Sequence, residues 1–205
     1  IFPHHECEIA QSEGATGKQF VRYWLHVRHL MVNGEKMSKS LGNFYTLRDL
    51  LSKGYSAKAF RYLMLSAHYR TSLNFTEESL KRAEETVAGL VDFMDKIQNL
   101  KIDSSYNDEF HKKVLETKEK FEEYVDDDLN MPQVLASVFD LVRETNKAID
   151  ERKVSQKNLK EVYEQMMKFD KVLGILEIKK ERLSKEILDL IIKREGYRKR
   201  VRARS

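Results

Sequence analysis

The sequence is poor in the residues that cross-link a chain or interrupt its periodicity. Its 205 residues include one cysteine, two prolines and eight glycines. The single cysteine, Cys7, excludes an internal disulfide framework and is typical of a protein kept in a reducing cytoplasm, which is where we expect this one. Few glycines and prolines favour long helices over many short strands. No run of 18 apolar residues occurs, so the sequence predicts no membrane span.

Charged residues are abundant and nearly balanced, but positive charge is concentrated near the end. The 37 basic residues exceed the 33 acidic ones by 4. A block of basic residues can neutralise the phosphates of a nucleic acid. The alternative is a solvated basic terminus that complements a helix dipole, and the charge pattern alone leaves both open. The residues that we expect to contact nucleic acid are Lys193, Arg194, Arg198, Lys199 and Arg200.

Apolar periodicity divides the chain into a mixed α/β part, residues 1–75, and a nearly pure helical part, residues 76–205. The first part predicts a helix from His4 to about Thr16 and a β-prone run over 25–32. Two short helices then begin after Thr46 and Ser56. The second part predicts four or five amphipathic helices, the last over 183–192. Their short linkers favour antiparallel packing in a bundle.

The pentad Lys36-Met37-Ser38-Lys39-Ser40 directly follows an Asn33-Gly34 pair, which is a strong hairpin signal. We therefore predict a short loop at the tip of a hairpin. Two ammonium groups supply positive charge there, and hydroxyls and loop amides supply hydrogen-bond donors, so the loop suits phosphate. The alternative is a solvated loop of lysine and serine without a ligand.

His4 and Glu8 are four residues apart, so a helix projects both side chains from one face. An imidazole and a carboxylate at this spacing suit two ligands of one zinc ion. The alternative is a surface ion pair. Cys7 lies three residues after His4 and is a weaker candidate.

Two stretches resemble the cysteinyl-tRNA synthetases, a family of class I synthetases. Residues 2–13, FPHHECEIAQSE, are similar to the zinc-binding helix of that family. Residues 23–26, YWLH, and 33–43, NGEKMSKSLGN, are similar to its signature loop. Residues 127–132, DDLNMP, fall where the family begins a core helix of its anticodon-side bundle. The resemblance covers nearly the whole chain, as a C-terminal portion of such a synthetase.

The resemblance implies a mainly α fold. A remnant of a class I Rossmann-type catalytic domain with the pentad loop would be followed by an antiparallel anticodon-side helix bundle. We expect residues 1–45 to be the C-terminal part of the catalytic domain, 46–75 a helical connection, and 76–205 the bundle with its basic tail. The family's first half, with its ATP-binding element and two zinc cysteines, would lie upstream of this chain.

The implied reaction activates cysteine with ATP, with Mg²⁺ as the companion ion, and charges tRNA(Cys). Lys39 and Lys36 would neutralise charge on the ATP phosphates, and Met37, Ser38 and Ser40 would complete the ATP-binding loop. The resemblance also implies that His4 and Glu8 hold part of a zinc site for the cysteine thiolate. His5 and His26 would line the amino-acid pocket, or else be satisfied core histidines.

Because half of the site would lie elsewhere, we expect this chain alone to be inactive. Two alternatives stay open from the sequence. One is a free-standing helical module, derived from a synthetase, that binds RNA through its basic end. The other is a paralogue that transfers activated cysteine to a small amine. The family usually continues beyond the basic helix, so the sequence Arg198 to Ser205 departs from its pattern.

Overall fold

A computed structural model describes residues 2–176. The predicted helix over 183–192 and the basic residues 193–200 lie outside the described residues. Within the described range the chain is mainly helical, as predicted, and no helix there is long and apolar enough to cross a membrane. In chain order the elements are α1 (His4–Thr16), β1 (Met31–Val32), β2 (Glu35–Lys36), α2 (Leu47–Ser52), α3 (Ala57–Leu65), β3 (Asn74–Phe75), α4 (Glu77–Asn99), α5 (Asp108–Asp126), α6 (Met131–Asp150) and α7 (Gln156–Leu173).

The three strands form a small sheet in the order β2-β1-β3. β1 and β2 are antiparallel, with Met31 opposite Lys36, and the turn between them has positive φ at both Asn33 (53°) and Gly34 (82°). Two left-handed residues are what a tight two-residue hairpin requires, so the predicted hairpin is confirmed. β3 pairs with β1 in parallel. It was not predicted, because two residues carry too little pattern to be recognised.

Only the end of the predicted run over 25–32 is a strand. Upstream of β1, the backbone N–H of Arg28 donates to the carbonyl of Tyr69 at 2.8 Å. Leu25 and Val27 stay 58% and 68% exposed. A strand requires a continuous ladder of partners, and among the described residues this segment has isolated bonds rather than a ladder.

A small apolar core joins the sheet to the next three helices. Its buried members come from β1, α2, α3, β3 and the first turns of α4. The rings of Tyr45 and Phe60 contact Phe75 at centroid distances of 5.9 and 6.4 Å. The core therefore fixes the hairpin against the start of the bundle. Its buried side chains are Val32, Leu50, Ala59, Leu63, Phe75, Leu80 and Ala83.

Side-chain caps begin the helices where the sequence predicted. Thr46 caps α2 and Ser56 caps α3. Thr76 and Ser79 form a complete capping box at α4: the Ser79 N–H donates to Thr76 Oγ1 at 2.9 Å, and the Thr76 N–H donates to Ser79 Oγ at 3.0 Å. Serine replaces the glutamate or glutamine that is usual at this position of a capping box. Its hydroxyl still reaches the Thr76 N–H, so the box is complete.

A larger core lies among α4, α5, α6 and α7. Each helix contributes one apolar stripe, as the periodicity predicted, and the linker between α5 and α6 is only residues 127–130. Side chains of α3 pack against this core as well, including Tyr62, whose ring meets Phe139 edge-on at 6.3 Å. α3 therefore contacts both cores and connects the mixed part of the chain to the bundle.

Candidate active-site loop

The pentad begins on a strand and continues into a loop. Lys36 is the last residue of β2, and residues 37–40 follow it. The tip of the hairpin is instead Asn33-Gly34, so the predicted position at the tip was wrong. The pentad lies one strand later, because β2 extends the hairpin through Glu35 and Lys36.

Met37 anchors the loop to the small core. Its side chain is half-buried against that core, and its N–H donates to the carbonyl of Leu30 at 3.4 Å. The cavity left beneath it is about 30 Å³ and is lined by apolar side chains such as Val32, Leu50 and Phe75. There is room for little more than one water molecule, so Met37 fills its site. The loop is therefore fixed at one end while the residues after Met37 are more exposed.

Asn43 closes the loop on itself. Its Oδ1 accepts the N–H of Ser38 at 2.8 Å, and its Nδ2 donates to the carbonyl of Lys36 at 3.3 Å. The Ser38 hydroxyl lies 3.2 Å from that of Ser40 and accepts the N–H of Leu41 at 3.3 Å. Sequence reasoning missed this role, although asparagine after glycine is a typical turn signal. The amide holds the pentad in a compact turn.

Both lysine side chains of the pentad are exposed. Lys39 Nζ lies 5.6 Å from the ring centroid of Phe44. None of the ion pairs among the described residues includes Lys36 or Lys39. Two solvated ammonium groups without an acidic partner in this part of the chain form a region of positive potential. Such a region favours a multiply charged anion.

His4 and Glu8 meet on the exposed face of α1. His4 Nε2 lies 3.3 Å from Glu8 Oε1, and the side chains are 76% and 42% exposed. Two ligand atoms that are each about 2.0–2.1 Å from a tetrahedral zinc lie about 3.3 Å apart, so the pair fits two corners of a zinc site. It fits a surface ion pair equally well. Within residues 2–176 no third histidine, cysteine or acid joins them, and Cys7 is exposed.

His5 lies in a stack of rings beside this pair. Its centroid is 4.5 Å from that of Trp24 and 5.1 Å from that of His26, with interplanar angles of 20° and 17°. Its Nδ1 is buried and has no hydrogen-bond partner among the described residues. His5 is therefore not a satisfied core histidine. No hydrogen bond or ion pair in this part of the chain joins the pentad to His4 or Glu8, so the two candidate sites stand as separate groups.

Two family models match the chain. Residues 1–85 match the class I (C) tRNA synthetase catalytic domain, and residues 120–177 match the DALR domain. The first match contains α1, the hairpin and the pentad. The second contains only the last two turns of α5, residues 120–126, and all of α6 and α7.

Curated relatives cover nearly the whole chain. The cysteine–tRNA ligase of Protochlamydia amoebophila is 45% identical over 204 residues, which are 100% of this chain and 42% of that protein. Those of Chlamydia muridarum and Leptospira interrogans are each 43% identical over 97% of this chain and 44% of theirs. The chain thus spans less than half the length of the relatives it matches.

A solved structure shares the fold. The Agrobacterium radiobacter LeuRS, crystallised as a ternary complex with tRNA and LeuAMS, aligns with a TM-score of 0.50 and 14% identity over 72% of this chain and 23% of its own. At that identity the likeness concerns the fold alone. Together with the two domain models and the curated relatives, it leads to one conclusion: the chain belongs to the cysteinyl-tRNA synthetases of class I and corresponds to a C-terminal portion of such an enzyme.

Proposed function

We propose that the chain supplies the phosphate-binding loop and the helical bundle of a ligase that joins cysteine to tRNA(Cys). In the first step the cysteine carboxylate attacks the α-phosphorus of ATP and pyrophosphate leaves. In the second step a ribose hydroxyl of the tRNA attacks the activated carbonyl and AMP leaves. The observation that supports the proposal most is the pentad. Its two lysines are exposed, make no ion pair within residues 2–176, and lie on a loop that Met37 and Asn43 hold in place.

The lysines act by positioned charge. Negative charge builds on the leaving pyrophosphate, and Lys39 and Lys36 neutralise it, assisted by the hydroxyls of Ser38 and Ser40. Mg²⁺ bound with the ATP shares this task. The side chain of Met37 does no chemistry; it fixes the origin of the loop, so that the lysines meet the phosphates without a large loss of conformational freedom.

His4 and Glu8 are proposed as two ligands of a zinc ion, with the remaining ligands supplied from outside residues 2–176. The 3.3 Å separation of their ligand atoms is compatible with this assignment, and the similarity of the chain to cysteine–tRNA ligases favours it over a surface ion pair. Zinc would bind the thiolate of the substrate and so favour cysteine over serine. The role of His4 and Glu8 is to present a nitrogen and an oxygen from adjacent turns of α1.

The bundle is proposed to contact tRNA, and the basic residues 193–200 remain part of that prediction. The division into units 1–45, 46–75 and 76–205 also stays a prediction, as does a cytoplasmic location, which the substrates ATP and tRNA support. Two alternatives, a free RNA-binding module and a ligase for a small amine, lack a specific observation in their favour. The relatives named above all carry the cysteine–tRNA ligase name.

Amino-acid-dependent exchange of pyrophosphate into ATP tests the proposal. The intact protein should exchange pyrophosphate with cysteine but not with serine, and should charge tRNA(Cys). The 205-residue chain alone should do neither. Exchange without tRNA charging would favour the small-amine alternative. Absence of exchange in the intact protein, with RNA binding preserved, would favour the free-standing module.

A further inference from the structure

An acidic side chain in the turn between α5 and α6 reaches back to the segment between α3 and β3. The Asp128 carboxylate accepts the Tyr69 hydroxyl at 2.5 Å and Arg70 Nη2 at 3.1 Å, and Arg70 Nε lies 2.9 Å from it as an ion pair. His68 Nε2 lies 3.1 Å from the backbone carbonyl of Asp128. Hydrogen bonding from Tyr69, assisted by Arg70, holds the pKa of Asp128 below its usual value, so the carboxylate is charged at neutral pH. We call these four residues the Asp128 cluster.

The backbone of this turn is in an unusual conformation. Asp128 and Leu129 have φ of 53° and 54°, in the left-handed region that residues other than glycine seldom adopt, and aspartate is more common there than leucine. The turn is held from the bundle side as well, because the Asn130 N–H donates to the carbonyl of Tyr124 at 2.9 Å. A strained turn persists where its surroundings fix it from several directions, and such turns concentrate at functional sites.

The segment that contacts Asp128 also holds the pentad hairpin. The Tyr69 carbonyl accepts the N–H of Arg28, and farther along Asn74 Oδ1 accepts the N–H of Gly34 in the hairpin turn, each at 2.8 Å. β3, which contains Asn74, pairs with β1. A continuous set of hydrogen bonds therefore runs from Asp128, through residues 69–75, to the hairpin whose second strand ends at Lys36.

Apolar packing is incomplete at this boundary. A groove of about 340 Å³ lies there, with Leu25 and Val27 among the residues on the side of the hairpin and Leu129 and Met131 on the side of the bundle. Where a groove of this size separates apolar walls, dispersion contacts across it are lost. The Asp128 cluster lies at the edge of the groove, because His68, Tyr69 and Leu129 belong to its lining.

We propose that Asp128 is a positioning residue that fixes the helical bundle relative to the pentad hairpin. Its consequence for catalysis rests on the proposed function: tRNA held on the bundle and ATP held by the pentad then meet in one geometry. The structural part of the proposal is independent of that function. It requires only that the carboxylate restrict the relative orientation of α2 and α5.

Spin labels on this chain test the structural part. Labels are attached to cysteines introduced by Arg48→Cys in α2 and Glu119→Cys in α5, in a Cys7→Ser background. Double electron–electron resonance should give a narrow distance distribution, which Asp128→Asn broadens or shifts. Tyr69→Phe removes one hydroxyl only and should act in the same direction, which keeps the test valid where the Asp128 variant does not fold.

The matched control is Glu144→Gln. Glu144 pairs with Lys113 at 2.9 Å, its side chain is 40% exposed against 46% for Asp128, and both partners lie within the bundle. It should leave the distribution unchanged. Distributions that stay as narrow in folded Asp128→Asn and Tyr69→Phe as in the parent would overturn the proposal.

Kinetics of the intact protein test the catalytic part. Asp128→Asn should lower kcat/KM for tRNA charging on the order of 10-fold to 100-fold, mainly through a higher KM for tRNA. The reason is that a tRNA held on the bundle would no longer be aligned with the pentad loop. Cysteine-dependent pyrophosphate exchange should stay within about twofold. An equal fall in both rates would contradict the positioning role. Absence of exchange in the parent would contradict the proposed function while the spin-label result still stands.

Discussion

Asn158 shows how a single buried amide can hold two segments together. It is fully buried, and its side chain pairs with the backbone of Asn107 in both directions: Oδ1 accepts the N–H at 3.0 Å and Nδ2 donates to the carbonyl at 3.1 Å. The same Oδ1 accepts the hydroxyl of Ser155 at 2.9 Å. One side chain thus completes the cap of α7 and fixes the linker before α5.

Asn158→Ala should lower the free energy of unfolding by about 2–3 kcal/mol, because it removes hydrogen-bond partners from the half-buried backbone of Asn107 and from the buried Ser155 hydroxyl. Urea unfolding followed by circular dichroism measures this. Asn99→Ala, at an exposed position near the end of α4, is the control and should change the free energy by less than about 0.5 kcal/mol. Equal effects of the two substitutions would contradict the assigned role.

Asp49 should make the stability depend on acid pH. The hydroxyl and N–H of Thr46 lower its pKa below the usual 3.8 in the folded state. The charged carboxylate therefore stabilises the fold above the unfolded pKa, and this contribution is lost as the pH falls through the lower folded value. We expect the parent to have a larger free energy of unfolding than Asp49→Asn near pH 6. Denaturant unfolding at several pH values should show this difference shrinking as the pH falls to about 3.

The exposed substitution Asp95→Asn supplies the baseline for this comparison, since the Asp95 carboxylate makes no hydrogen bond within the described residues. If the difference in the free energy of unfolding between the parent and Asp49→Asn stays constant across this pH range, the stability of the α2 cap does not depend on the charge of Asp49.

At the scale of elements, local signals were reliable and pairings between distant segments were not. Thr46, Ser56 and the Asn33-Gly34 turn act within a few residues of themselves, so their positions could be predicted from sequence. β3 and the contacts of Asn43 within the pentad loop depend on how the chain returns to β1 or folds back on itself. Apolar periodicity shows which face of a segment is buried but not which residues it contacts. The strand β3 and the hydrogen bonds of Asn43 were therefore not predicted.

The same limit applies to the candidate site. The sequence predicted which side chains would carry the chemistry, because lysine, serine and histidine are distinctive at short spacing. It could not predict that His5 Nδ1 would be buried without a partner in the described part of the chain, or that Tyr69 and Asp128, 59 residues apart, would meet. Those features depend on the packing of α1 and of the α5–α6 turn.

The end of α7 offers a test at this scale. Gly174 has a φ of +63°, and a Cβ there would lie 3.0 Å from Arg61 Nε. That arginine donates to the carbonyls of Leu173 and Val172, so it closes the end of the helix. Gly174→Ala should therefore lower the free energy of unfolding by about 1–2 kcal/mol, since it adds strain and displaces the guanidinium.

Gly89→Ala is the matched control. It lies inside α4, is exposed, and has no atom within 4 Å of an added Cβ. It should raise the free energy of unfolding by about 0.5–1 kcal/mol, because alanine favours a helix over glycine. Chemical denaturation of both variants shows whether each substitution raises or lowers the free energy of unfolding. A stabilising Gly174→Ala would refute the described end of α7.

At the scale of the whole molecule, two cores are joined by α3 and by the long helix α4, which contributes side chains to both. α3 packs on the small core through Ala59 and Leu63 and on the bundle core through Tyr62. Lys58 and Arg61 on its first turns bind the end of α7, and residues 68–70 beyond its end bind Asp128. The pentad loop therefore connects to the bundle through side chains at both ends of α3.

The chain spans 42–44% of the length of the relatives named above. Three features of residues 2–176 are consistent with a catalytic domain to which other residues contribute: Leu25 and Val27 are exposed, His5 Nδ1 has no partner within this range, and His4 and Glu8 offer two ligand atoms. Activity is accordingly expected of the intact protein.

The most direct test of the central claim is the effect of Lys39→Ala on cysteine-dependent pyrophosphate exchange by the intact protein. The account predicts a fall in kcat on the order of 10²–10³, as for loss of one positioned charge, with the melting temperature unchanged because the side chain is exposed. Lys168→Ala, at an exposed position on α7, is the control and should leave the rate unchanged. An exchange rate in Lys39→Ala equal to that of the control would contradict the account.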